Sequence, residues 1–168
     1  MPWPMNMPKG TYHLRRKEKA IDDLAEIQEI LAKEMFMTIA MCRDNEPYLV
    51  SLNYSYDSAG NVLYFHCSRE GKKNDFLAAN DHVYGQILDD RGYVQGECDY
   101  DYRSVHFQGN AEEVSDAVEK KRALEMMIDK LESDSGRLRG RLLDSDSLSQ
   151  VGVFRIDVKE FVGKKRVK

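Results

Sequence analysis

Cysteine is scarce in this 168-residue chain: Cys42, Cys67 and Cys98 form an odd set with no CxxC pair. That argues against a disulfide framework and a zinc ribbon, and no metal site is expected, because Cys98 and His106 have no second close pair to complete one. Long apolar runs are lacking too. No stretch approaches the ~20 residues that span a bilayer, and Met1-Pro2-Trp3-Pro4-Met5 has none of the basic-then-apolar build of a signal peptide. A cytoplasmic protein with no membrane partner is expected. Positive charge is not in excess, since 25 Lys+Arg stand against 29 Asp+Glu for a net charge of -4. General affinity for nucleic acid is therefore not expected, and any anion site must be local. Walker motif, dinucleotide fingerprint, nucleophile elbow, kinase signature and internal repeats are all absent, which removes the Rossmann and P-loop enzymes.

What is present is an ordinary globular composition, 42% hydrophobic and 32% charged, in a chain long enough to bury roughly 70% of its unfolded surface in one core. A leader over residues 1–14 and a single domain over 15–168 are expected. Ile21, Leu24, Ile27, Ile30 and Leu31 fall at helical spacing, which predicts an amphipathic helix over 21–35. From Phe36 the period drops to two. Strands are predicted over 36–43, 48–56 and 62–68, joined by turns at Asp44-Asn45-Glu46-Pro47 and Asp57-Ser58-Ala59-Gly60-Asn61. A short helix follows over 72–79, then strands near 82–89 and 100–114, a helix after Ser115, a polar loop or weak helix over 136–150, and a closing strand over 151–162. The first turns are too short to hold crossover helices, so parallel α/β is excluded and a small antiparallel barrel with outer helices is predicted, an α+β fold that is mainly β.

Chemistry concentrates in Leu63-Tyr64-Phe65-His66-Cys67-Ser68-Arg69-Glu70-Gly71-Lys72-Lys73. Strand parity sends Tyr64, His66 and Ser68 to one face, Gly71 permits a tight turn, and a helix then begins. Helix-start N–H groups, a serine hydroxyl and two lysines within a few residues can hold a phosphate dianion; the plain alternative is a solvated loop. His66 has the titration range of a proton donor or ligand partner, against the commoner structural role of a strand histidine. The face carrying Leu49, Ser51, Asn53 and Ser55 is polar yet uncharged, as faces that border a ligand often are. The methionines suit core filling.

Several stretches together resemble the pyridoxamine-phosphate-oxidase-like flavin split barrels, nearest the 5-nitroimidazole-resistance (Nim) branch. They are Arg15-Arg16-Lys17, Pro47-Tyr48-Leu49-Val50-Ser51-Leu52-Asn53-Tyr54, Leu63-Tyr64-Phe65-His66-Cys67-Ser68 with Gly71-Lys72-Lys73, Tyr102-Arg103-Ser104-Val105 before Gly109, the helix over 117–131, and Phe161-Val162-Gly163-Lys164-Lys165. The series runs from Arg15 to Lys165 in matching order. The resemblance implies a six-stranded split barrel that forms a homodimer, with one FMN per subunit at the interface. It implies that Val50, Ser51, Leu52 and Asn53 run along the flavin ring, that Phe65, His66 and Ser68 border ring and ribityl chain, and that Lys72 and Lys73 take the phosphate. Gln86, Arg103 and Ser104 match positions that approach the flavin, often from the partner subunit, and Lys164 is a cation near the ring. His66 is the implied catalytic proton donor. The arginine-rich substrate contacts of the family's oxidases find no counterpart here, so the expected activity is an FMN-dependent oxidoreductase acting on a small electron-poor acceptor, nitroimidazole reductase-like. A non-catalytic flavin-binding or redox-sensing module and a haem-binding split barrel are the alternatives.

Overall fold

The computed structural model describes residue 14 and residues 16–143 and 145–166. The leader expected over 1–14 and the Arg15 of the first matching stretch lie almost wholly outside the described residues. Asp44 and Asn45, at φ 51° and 64°, make a two-residue turn between β2 (Phe36–Arg43) and β3 (Glu46–Asn53). Paired positive φ values give the turn the twist that an antiparallel hairpin needs, and Asn and Asp tolerate them best among residues with a Cβ. Beyond β3 the chain breaks at Tyr54 and resumes as β4 (Ser55–Asp57), which turns into β5 (Val62–Ser68). Then come α2 (Lys72–Ala79), β6 (His82–Val94), β7 (Asp99–Glu113), α3 (Ala117–Leu131), α4 (Ser135–Leu142), α5 (Ser145–Gln150) and β8 (Val151–Lys165). A 3-10 turn (Lys17–Lys19), the two-residue β1 (Ala20–Ile21) and α1 (Leu24–Lys33) precede them.

Hydrogen bonding orders the sheet β3-β2-β6-β7-β8-β5-β4, with every pairing antiparallel and β1 added on β8. Because β3 and β4 stand at opposite ends of that order and are consecutive in the chain, the sheet closes on itself as a barrel. With β3 and β4 counted as one interrupted strand and β1 set aside, the barrel has six strands, as the split-barrel expectation holds. The expected single strand over 48–56 is thus corrected: its first half pairs with β2 and its second with β5.

The interior is filled by inward positions such as Ile39, Phe65, Ile87, Phe107 and Ile156, each at most 1% exposed. Glycine at 85 is what lets Phe107 cross it, since a Cβ there would stand 2.1 Å from the ring. A second apolar layer lies outside, where Ala123, Leu124 and Met127 of α3 cover Val62, Tyr64 and Val153. Val118, on the predicted stripe, is instead 78% exposed. The expected first helix starts late, because the Asp23 side chain caps it by accepting the Ala25 N–H, and Ile21 goes to the β1–β8 pairing. Helix α1 then buries Ile27, Ile30 and Leu31. At about 1.5–3 kcal/mol per side chain, that burial outweighs the marginal stability of so short a helix alone. Strand β6 runs past the expected 82–89, and β7 starts a residue early. Their far ends, Asp90–Val94 against Asp99–Tyr102, form a two-stranded ribbon with a register shift at Asp90/Gly92.

Candidate functional site

The break at Tyr54 opens the barrel. The β4–β5 register sets Ser55 against Tyr64 and Asp57 against Val62; carried onward it would set Asn53 against His66 and Ser51 against Ser68. Those residues do not pair with one another, because β3 turns away to β2 while β5 stays on β8. Val50, Ser51, Leu52 and Asn53 therefore form one lip of a split and His66 and Ser68 the other. On the β3 lip the backbone edge that faces away from β2 has no strand partner among the described residues, and an unpaired edge offers N–H and C=O groups to a planar polar ligand. Side-chain bonds hold this lip. Ser51 and Thr38 share a hydroxyl hydrogen bond of 2.9 Å, and Asn53 Nδ2 donates to Met35 O at 3.1 Å.

At the other end of the split lies the start of α2. Gly71 caps it at φ 131°, a conformation suited to glycine, and no side chain caps the helix. The leading amides of Lys72 and Lys73 thus have no intrahelical acceptor, and the positive end of the helix dipole faces outward. Asn74 Nδ2 donates to Ser68 O at 3.0 Å and ties the helix to the strand end, while Ser68 Oγ accepts weakly from the Glu70 N–H at 3.5 Å. The Lys73 ammonium sits 5.6 Å over the Phe65 ring. Lys72 reaches the opposite lip: its Nζ is 2.6 Å from Glu46 Oε1 and 5.0 Å over the Tyr48 ring. That contact holds the Glu46 carboxyl below its ordinary pKa. His66 is exposed on the β5 lip, and burial by the surrounding chain, with Lys73 second, lowers its imidazole pKa. At neutral pH it stands largely uncharged.

Not every candidate converges. Phe65 is wholly buried and stacks on Phe154 at 5.3 Å, so it presents no surface to a ligand in this chain. Arg103, which the resemblance sets near a flavin, is already engaged within this chain. Its Nε donates to Asp89 at 2.8 Å and its two terminal nitrogens to Glu29 at 3.1 Å each, so three carboxylate contacts take up the fork that a phosphate would need. Ser104 is buried, and Gln86 lies on the outer sheet face with its Nε2 3.5 Å from His106 Nε2. Lys164, across from Ser104, places its ammonium 5.9 Å over the Tyr102 ring. Gln86, Ser104 and Lys164 share the outer face with Thr38 and Ser51. This face also carries exposed apolar side chains, Phe36 at 61%, Leu49 at 66%, Tyr84 at 41% and Leu88 at 45%. The sequence reading missed Thr38 and Asn74. Thr38 was legible from the hairpin register opposite Ser51; Asn74 carried no signal beyond its place in the first turn of α2.

Residues 23–165 match the family model described as pyridoxamine 5'-phosphate oxidase. A search of the curated proteins finds no match. Among solved structures, a putative 5-nitroimidazole antibiotic resistance protein from Bacteroides thetaiotaomicron superposes with a TM-score of 0.71 at 23% identity, covering 87% of this chain and 86% of that one. The flavocytochrome Anf3 from Azotobacter vinelandii gives a TM-score of 0.77 at 20% identity over 92% of this chain and 72% of its own. An FAD-binding protein from Mesorhizobium loti gives 0.63 at 23% identity over 89% and 98%.

Proposed function

The chain belongs to the pyridoxamine 5'-phosphate oxidase family, and from that membership we propose that it is a flavoprotein that holds FMN in the split and passes electrons from a reduced donor to a small electron-poor acceptor. One observation carries this reading: an uncapped helix start with Ser68 and Lys73 closes one end of a cleft whose lips are an unpaired β edge and a strand bearing His66. These residues fit the cofactor. The Lys72 and Lys73 amides, the Ser68 hydroxyl and the Lys73 ammonium would hold a phosphate, and the alternate amides and carbonyls along Val50, Ser51, Leu52 and Asn53 that point away from β2 would hold the polar edge of a ring. When bound, the flavin supplies the two-electron chemistry that no side chain here possesses.

The residues of the chain bind, orient and move protons. His66, neutral at the lip, holds one ring-nitrogen proton and delivers it to an acceptor only after protonation. The phosphate that Lys73 helps to bind favours that protonation by cancelling the ammonium's effect on the imidazole. The exposed apolar outer face suits a second copy of the chain, which would cover the ring and bring Gln86, Ser104 and Lys164 toward the cofactor of its partner. The free thiols Cys42, Cys67 and Cys98 fit work in the cytoplasm. A nitroaromatic acceptor of the Nim type is the sharpest form of the proposal, supported by the sequence resemblance and by the likeness to the Bacteroides thetaiotaomicron structure.

The visible spectrum of the purified protein tests the cofactor. Paired flavin bands with one FMN per chain are expected, and a Soret band or a colourless protein that takes up no FMN overturns the assignment. Reoxidation of the reduced holoprotein by a nitroimidazole should outpace reoxidation by oxygen; equal rates would make it a flavin-binding module without turnover. Ultracentrifugation should give twice the chain mass.

A further inference from the structure

The split exists because the barrel strand breaks at Tyr54, and the groups that hold Tyr54 come from two helices, α1 and α3. Tyr54 is fully buried, and its hydroxyl donates to Leu31 O at 2.8 Å. Leu31 lies in the last turn of α1, where carbonyls lack helical acceptance and the dipole is negative. The same oxygen accepts from Lys130 Nζ of α3 at 3.1 Å, and that ammonium lies 3.4 Å over the Tyr54 ring. One cation thereby joins α3, the end of α1 and the point where β3 leaves β4. Two residues past α1, Met35 O accepts the Asn53 amide from the lip itself.

We infer that Lys130 is a positioning residue for the cleft: clasped between the Leu31 carbonyl and the Tyr54 ring, it fixes the angle at which β3 diverges from β5, and so the width that a flavin ring meets. This rests on the flavin reading above. A neutral side chain at 130 keeps the packing but loses both the attraction to the helix end and the cation–ring contact, so β3 is held less firmly. The charge is costly to keep. Burial lowers the Lys130 pKa to about 8, with Glu34 at the end of α1 opposing the shift, and the Tyr54 phenol, itself pushed far up by burial and then by Glu34, stays neutral.

The sign follows from linkage. With a folded pKa below the unfolded one, the unfolded chain binds the extra proton between about pH 8 and the ordinary lysine value, so stability rises with pH across that window while the clasp loses its charge. A purely structural lysine would make stability and lip order move together; a positioning lysine separates them.

The test compares wild type with Lys130→Met and Lys130→Arg, using backbone hydrogen exchange without ligand and FMN titration by fluorescence quenching. Lys130→Met should match or exceed wild type in thermal midpoint, exchange faster at residues 50–55 with β6 and β7 unchanged, and bind FMN about tenfold more weakly. Lys130→Arg should restore slow exchange and affinity. Wild-type FMN affinity should fall as pH rises through about 8, and Lys130→Met should show no such step. Wild-type exchange at 50–55 in Lys130→Met overturns the inference, as does a variant that loses stability and affinity together with the same pH step. If wild type takes up no FMN while the exchange difference persists, the clasp stands and the flavin reading falls.

Discussion

Arg103 and Lys73 are both cations set beside the barrel by strand and helix geometry, yet their surroundings are opposite. Arg103 is 7% exposed and Asp89, its closest partner, 4%. Two contacts from Glu29 and a looser one from Glu26 at 3.6 Å complete its coordination. Lys73 has no carboxylate in hydrogen-bond contact among the described residues; its ammonium meets the Phe65 ring and the Cys67 thiol, beside a helix start without a side-chain cap. Burial and mutual satisfaction make the first cluster a structural joint between α1 and the β6–β7 pair. Partial exposure, a weak thiol partner in place of a carboxylate and the free amides of the helix start make the second a place where an anion gains contacts without breaking an ion pair. A basic residue marks a ligand site when its own chain leaves it unanswered.

The comparison breaks most visibly at Arg103. Replacing it by Met leaves the buried Asp89 carboxylate with Arg91 and the more distant Lys33 alone; burial raises its pKa, and hydrogen bonds from Arg103 and Arg91 outweigh that and hold it below its ordinary value. The expected loss is about 3–5 kcal/mol in denaturant unfolding, with FMN affinity of the folded fraction kept. Arg103 becomes a cofactor residue if stability holds and FMN is lost. In the wild type, this carboxylate's contribution is present above the ordinary Asp range and disappears as pH falls through the lowered folded pKa, so acid unfolding should begin only below about pH 4.

The reverse pattern is expected for Lys72→Ala with Lys73→Ala. The charge-assisted contact of the Lys73 ammonium, of order 1.5–3 kcal/mol, leaves the phosphate, together with whatever Lys72 supplies in competition with Glu46, so FMN affinity should drop at least tenfold by titration while the thermal midpoint stays put. An unchanged affinity would remove the phosphate from the start of α2.

How much of this contrast could be read from sequence depended on range. The β2–β3 hairpin, the α2 start and the clustering of Ser68, Lys72 and Lys73 rest on neighbours in the chain, where parity and turn chemistry suffice. Parity even puts His66 and Ser68 on one face correctly. The engagement of Arg103 was not legible, because its partners Glu29 and Asp89 lie 74 and 14 residues away, and nothing local tells an answered guanidinium from a waiting one. The burial of Phe65 was hidden for a related reason: its strand was placed, yet the fact that its side faces the closed interior depends on β8 returning with Phe154. The Tyr54 break was invisible too, since alternation continues across it and only a tertiary hydrogen bond to Leu31 marks the turn of direction.

A subtler test sits on His66. Burial and Lys73 lower its pKa in the apoprotein, so apo stability should decline as pH drops below the ordinary histidine range, where the unfolded chain takes the proton first. Phosphate at the start of α2 offsets Lys73, and the imidazole pKa followed by NMR should rise when FMN binds. A pKa that stays fixed or falls places the phosphate elsewhere.

The smallest effect is expected at Glu46, and it separates the two lysines. Lys72 differs from Lys73 in having an answer: Glu46 Oε1 at 2.6 Å draws its ammonium across the split toward β3. An anion arriving at α2 must compete with that carboxylate for Lys72, whereas the Lys73 ammonium and the two backbone amides are available at once. Both partners of the ion pair are more than half exposed, so water screens their attraction and the fold draws little from it. Glu46→Gln therefore leaves the thermal midpoint unchanged and frees Lys72 to turn toward the phosphate, raising FMN affinity by less than about tenfold. The gain should shrink as salt is added and vanish in the Lys72→Ala background, because the carboxylate acts only through that lysine. A drop in affinity in Glu46→Gln would mean that the ion pair positions the β3 lip for the ring, and Lys72 would then belong with Arg103 among the cations that the chain holds for its own structure.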